Sequence, residues 1–123
     1  MEADPDAEAV RLEEADRHLA SAQTIAASDP NGAYQLAYDA ARKAVTAHMA
    51  SAGFRVRATI GAHAVTASYA SEAISKELGS RLDRMRRRRN RSEYGMAHFE
   101  VAEVDAAIET ARALIAAAGD NAS

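Results

Sequence analysis

The sequence predicts an all-α fold, an antiparallel bundle of four to five helices, on three observations. Alanine fills 32 of the 123 positions, and alanine loses almost no entropy on entering a helix. Proline occurs twice, each time after an aspartate, in Asp4-Pro5 and Asp29-Pro30. That pairing joins a side-chain cap to a first-turn residue that needs no N–H partner, so it marks two helix starts. Elsewhere the apolar residues recur at alternating spacings of three and four, the helical period. A chain of this length supports one core, so residues 1–123 are read as a single domain with flexible ends at 1–6 and 119–123.

The first helix is expected from Pro5 to about Ala27, with Leu12, Ala15, Leu19, Ala22 and Ala26 along its inner side. The second runs to about Ala52 and stops at Gly53; Tyr34, Tyr38, Ala41 and Val45 form one line, with small residues nearly all round, so it is read as the central helix. Phe54 to Thr59 reads as a connecting loop holding Arg55 and Arg57. A third helix then extends to Leu78 with Ala67, Ala70, Ile74 and Leu78 inward, closed by Gly79. The fourth begins near Ser80 and loses regularity at Tyr94-Gly95, where glycine permits a backbone turn that other residues resist. The last spans about Ala102 to Ala118 and buries Val104, Ile108, Ala111 and Ile115 before Gly119.

Composition excludes several kinds of function. There is no cysteine, hence no disulfide, thiolate metal site or thiol nucleophile, and a cytoplasmic setting is the default expectation. The acidic start, Met1 to Asp6, does not read as a secretion signal, and the longest uncharged run, Ala58 to Ser71, is too short to span a membrane. His18, His48 and His63 are widely separated with no carboxylate at ligand spacing, so no metal is expected. No glycine-rich phosphate loop is present, and no cofactor is expected. The bulky aliphatic residues are few, so an alanine-lined core removes little apolar area per residue from water, and self-association would supply further burial.

Charge is distributed unevenly. The net charge is −3, yet Arg81 to Arg91 holds seven basic residues against Asp83 alone, which gives that segment +6 and leaves −9 for the rest. An acidic body with one basic stripe is suited to receive a polyanion at one place. On a helical wheel with Leu82 at 0°, Met85 falls at about 300° and Arg89 at about 340°, whereas Arg84, Arg88 and Arg91 cluster at roughly 180–240°. Arg89 is therefore expected to point inward and the other three outward. A guanidinium is never neutral in a protein, so an inward one needs compensation. The sources open to it are a carboxylate such as Asp39, a ring of carbonyls, or a bound anion such as a phosphate held in a cleft.

Arg89-Asn90 followed by Tyr94, within the string Leu82-Asp83-Arg84-Met85-Arg86-Arg87-Arg88-Arg89-Asn90-Arg91-Ser92-Glu93-Tyr94-Gly95, resembles the signature of HEPN domains. The run Tyr38-Asp39-Ala40-Ala41-Arg42-Lys43-Ala44, the loop around Gly53, Arg55 and Arg57, and Gly61 with His63 are also similar to small stand-alone members. The resemblance covers most of residues 10–118 and implies a helical bundle, frequently a homodimer. It also implies a metal-independent ribonuclease of the kind found as toxins in toxin-antitoxin and phage-defence systems, often encoded beside a minimal nucleotidyltransferase. RNA and a nucleotidyltransferase-type antitoxin are then the expected partners.

The family motif is arginine, a polar residue, then histidine after four to six intervening residues. Attack of a ribose 2′-hydroxyl on its phosphate needs a fixed cation for the phosphorane and a group that moves protons near neutral pH. By resemblance, Arg89 is the phosphate clamp, Asn90 the orienting group, and Arg86, Arg87, Arg88 and Arg91 the flanking RNA contacts. Tyr94 stands where the motif has histidine, and a phenol of pKa about 10 is a poor base at neutral pH, although it can donate a proton. His98, separated from Arg91 by six intervening residues, is the second candidate for the proton. Tyr94 is also the residue at which a partner nucleotidyltransferase would attach AMP, as in some related toxins. The rival reading is a non-catalytic module that holds nucleotide, RNA or partner protein in the same cleft.

Overall fold

The computed structural model describes residues 5–53, 62–92 and 98–122, with five helices and no strand among them. They are α1 (Pro5–Ile25), α2 (Pro30–Ser51), α3 (Ala62–Ala73), α4 (Lys76–Ser92) and α5 (Val101–Ala122). The readings of Phe54 to Thr59 as a loop holding Arg55 and Arg57 and of Tyr94-Gly95 as an irregular turn lie outside the described residues, as do Gly61 and the Arg91 side chain.

α1 and α2 form a hairpin. The Asp29 carboxylate caps α2 by accepting from Gly32 N at 2.9 Å, and Pro30 occupies the first turn, where its missing N–H costs nothing. The expected α1 stripe is inward, with Ala15, Leu19 and Ala22 buried and Leu12 and Ala26 packed at its ends. Lys43 Nζ reaches Glu14 at 2.9 Å and fastens the pair from the outside. α2 is the central helix, in contact with all four others. Ala33, Ala37, Ala40, Ala41, Ala44 and Ala47 are completely buried there, and their small side chains let neighbouring backbones approach from several sides. Tyr34, Tyr38 and Val45 fill the wider gaps. The helix ends through Gly53, whose φ of 87° is left-handed and suits a residue without a Cβ.

The third and fourth helices depart from the expected boundaries. The chain breaks at Ile74-Ser75, and α4 begins at Lys76, four residues before the expected start near Ser80. The reason is local: Ser75 Oγ accepts from Leu78 N at 3.2 Å, an N-cap that competes with continuing α3. Gly79 thus closes no helix; it lies inside α4 where α3 crosses. A Cβ there would sit 2.0 Å from Ser71 Oγ and 2.4 Å from Ser71 N, so the missing side chain sets how closely the two helices approach.

α5 also runs past its expected stop, since Gly119 lies within the helix. A glycine there costs about 1 kcal/mol relative to alanine but need not end the helix. Val104, Ala107, Ile108, Ala111, Leu114 and Ala118 are buried, and the five helices share one core. Among the described residues no helix is long and apolar enough to cross a membrane.

Candidate functional site

Leu82 and Met85 are buried and anchor α4 on the bundle, so the next turn carries Arg89 onto α2. Its guanidinium carbon stands 5.4 Å from the centroid of the Tyr38 ring, within cation–π range, and its Nε donates to Gln35 Oε1 at 2.9 Å. The expected inward direction is therefore observed, with Arg89 half-buried. The Asp39 pairing weighed from the sequence does not form. Asp39 receives Arg42 at 2.8 Å and lies 2.9 Å from His18 Nδ1. Burial pushes the Asp39 carboxyl up, but the hydrogen bond and charge of Arg42, with Lys43 and His18, outweigh this and hold it below the usual carboxylate range.

Tyr38 carries a second group. His63, in the first turn of α3, places Nδ1 2.6 Å from the Tyr38 hydroxyl, with the two rings 5.7 Å apart. Burial drives the Tyr38 phenol up to about 12, against the opposing pull of Arg42, Arg89 and Arg86. Tyr38 therefore stays protonated across the physiological range. Burial also lowers the His63 pKa, and Arg42, Arg89 and Arg86 lower it further, so the ring is neutral at pH 7. Three helices thus converge on Tyr38: α2 with Gln35, Asp39 and Arg42, α3 with His63, and α4 with Arg86 and Arg89.

The arginine stripe is less uniform than its sequence. Arg86 and Arg87 both engage Asp83, at 2.9 and 3.0 Å, and Arg81 engages Glu77 at 2.6 Å. Arg86 is half-buried, and it lines a groove of about 380 Å³ between α3 and α4 together with Arg87, Ser68, Ser71 and Ser80. Asn90 and Arg84 are exposed. Arg88, expected on the exposed face as an RNA contact, instead reaches across to the start of α5. It donates to Glu103 at 2.8 Å and to the His98 carbonyl at 2.7 Å, and its guanidinium lies 4.1 Å from the centroid of the Phe99 ring. The helical wheel gave its direction but not this neighbour, because α5 arrives from outside the local sequence.

This staple ties the start of α5 to α4. Its hydrogen bond and charge hold Glu103 below the usual carboxylate range. The stabilisation from Glu103 is thus present above the unfolded pKa of about 4.3 and lost as pH falls through the depressed folded value. Glu103→Gln is expected to lower stability by about 1 kcal/mol at pH 7, the scale of a partly exposed pair, with the difference vanishing in acid. Urea denaturation of both proteins at pH 7 and pH 3 measures it; a difference that persists at pH 3 would contradict the assignment.

His98 lies at the surface. Its side chain is 82% exposed, with Nε2 3.5 Å from Glu100. Tyr94 lies outside the described residues. The sequence singled out Arg89 for the site, left His63 as a residue that could reach the cleft but is more often a cap or packed, and gave Gln35, Tyr38 and Arg42 no separate role there. The i, i+3 and i, i+7 positions of Gln35, Tyr38 and Arg42 on one face of α2 were the available signal. His48 of α2 bonds the Tyr69 hydroxyl of α3 at 2.8 Å. Among the described residues no cluster of His, Asp or Glu could hold a metal ion.

Residues 9–121 match the family model of the HEPN domain. No curated protein and no solved structure matches the chain.

Proposed function

Since the chain belongs to the HEPN domain family, we propose that it is a metal-independent ribonuclease that grips an RNA phosphate with Arg89 beside Tyr38, acting as the toxin-like component of a toxin-antitoxin or phage-defence pair. The observation that carries this reading is the seating of Arg89. A permanent cation from the family motif rests on a buried tyrosine at the meeting point of three helices, with Arg86 and Arg42 close by. Such a fixed, partly desolvated cation suits the extra negative charge of a phosphorane better than a solvated one.

Arg86 and Arg87, with the serine hydroxyls of the α3–α4 groove, supply a track for the neighbouring phosphates. Arg88 contributes by holding the entry to α5 rather than by touching RNA. A homodimer that juxtaposes two such motifs across its axis forms one composite cleft. The antitoxin of this reading is a nucleotidyltransferase, and Tyr94 is its AMP acceptor. Incubation with that partner and ATP should raise the intact mass by one AMP unit, and Tyr94→Phe should stay unmodified; an unchanged wild-type mass removes this part of the proposal.

The test of the central claim is direct. Purified protein should cut a labelled RNA oligonucleotide in the presence of a chelator and leave 2′,3′-cyclic phosphate ends. RNA left intact over a wide protein concentration range would reject it. A second reading, a binding module that holds RNA or nucleotide without cleaving it, is favoured by Tyr94 in the position of the motif histidine, and it predicts retention of RNA without any new ends.

A further inference from the structure

We propose that His63 transfers the proton at this site: its Nε2 takes the hydrogen of the attacking RNA 2′-hydroxyl while Tyr38 holds its Nδ1. This deepens the ribonuclease reading and rests on it. The motif position that should supply a histidine holds Tyr94, and His98 faces solvent and Glu100. The reaction still needs a group that exchanges protons near neutral pH, and a buried phenol held at about 12 cannot be that group.

The geometry supplies an imidazole in the right neighbourhood. His63 and Arg89 both lie within 6 Å of the same Tyr38 ring, one on its 2.6 Å hydrogen bond and the other at cation–π distance. They come from different helices, so neither fixes the other; the tyrosine fixes both. Its hydroxyl is donor and acceptor, and a turn about its C–O bond lets it either donate to Nδ1 or accept from Nδ1–H. The second arrangement leaves the lone pair on Nε2. It also persists once the ring is charged, since Tyr38 then accepts from the imidazolium.

Burial first, and then the surrounding charges, set the resting state. Among the described residues, the groups that act on His63 are Tyr38, Asp39 and Arg42 of α2 and Arg86 and Arg89 of α4. Three cations outweigh one carboxylate already bound by Arg42, and the N-terminal end of α3 adds its positive dipole end. The ring is therefore unprotonated near pH 7 and able to accept. A negative phosphorane between the arginines then stabilises the imidazolium as it forms, so the proton moves as the charge develops.

The step balances. The O2′–H bond breaks and its proton goes to Nε2, the O2′–P bond forms, and the P–O5′ bond breaks. O5′ takes a proton from water, and the imidazolium returns its own to the solvent.

The experiment uses the full chain and the labelled oligonucleotide. His63→Gln should lose about 10²- to 10⁴-fold in kcat, with RNA affinity held within about threefold and an unchanged melting curve. In the wild type, kcat/KM should fall as pH drops below the ordinary histidine range, and that acid limb should be absent in His63→Gln. NMR titration of the wild-type His63 ring should give the same midpoint as the limb. Tyr38→Phe, which keeps the ring under Arg89, should shift that midpoint. A His63→Gln protein that cuts at the wild-type rate, or a ring titration more than about one pH unit from the limb, would overturn the assignment while leaving the ribonuclease reading in place. A wild type that cuts nothing would overturn both.

Discussion

Arg89→Ala is expected to cut RNA more slowly by about 10²- to 10³-fold, the usual loss when one fixed charge is withdrawn from a developing oxyanion. Folding should barely change, because Arg89 is half-buried and its neighbours Gln35 and Tyr38 keep access to water or to His63. Arg89→Lys should restore little. An ammonium carries the charge but cannot both lie over the Tyr38 face and present a planar fork to phosphate and Gln35. Arg84→Ala is the matched control: it removes the same charge from the same helix, but at an exposed position without an ion pair among the described residues. It should lower affinity slightly and evenly. Single-turnover cleavage with saturating protein separates the two effects, and equal losses for Arg84→Ala and Arg89→Ala would mean that only net charge matters.

Gly79→Ala should destabilise the fold strongly. The new carbon would lie 2.4 Å from Ser71 N and 2.5 Å from Ser71 Cα, atoms that cannot rotate away. Overpacking of this kind costs about 1–3 kcal/mol, and contact with backbone places it at the upper end. Ser71→Gly should not rescue it, because the clash with the main chain remains. The damage extends to the site: α3 carries His63 and α4 carries Arg89, so forcing these helices apart disturbs the two groups that share Tyr38. Thermal unfolding measures the first effect, and single-turnover cleavage below the melting range measures the second. A Gly79→Ala protein with unchanged Tm would show that α3 shifts freely on α4. In contrast, Gly119→Ala should stabilise α5, since nothing lies within 4 Å of the added carbon and alanine is the better helix former.

The sequence by itself determined the helical class, the central place of α2 and the inward aspect of Arg89. These follow from short-range physics: alanine's helix preference, capping by Asp29 beside Pro30, and the angular relation of Arg89 to Leu82 and Met85. The break between α3 and α4 was legible in principle, as a serine cap at Ser75, but an uninterrupted apolar period concealed it. Only the tertiary structure decided what Arg89 meets. Gln35 is 54 residues away and Tyr38 joins His63 across 25, and no local pattern specifies such pairs. It also decided that Asp39 belongs to Arg42 and His18, and that Arg88 staples α5 instead of facing solvent. Periodicity tells which way a side chain points along its own helix; which helix stands opposite depends on how all five pack, and that depends on contacts such as Gly79 against Ser71 that no single segment contains.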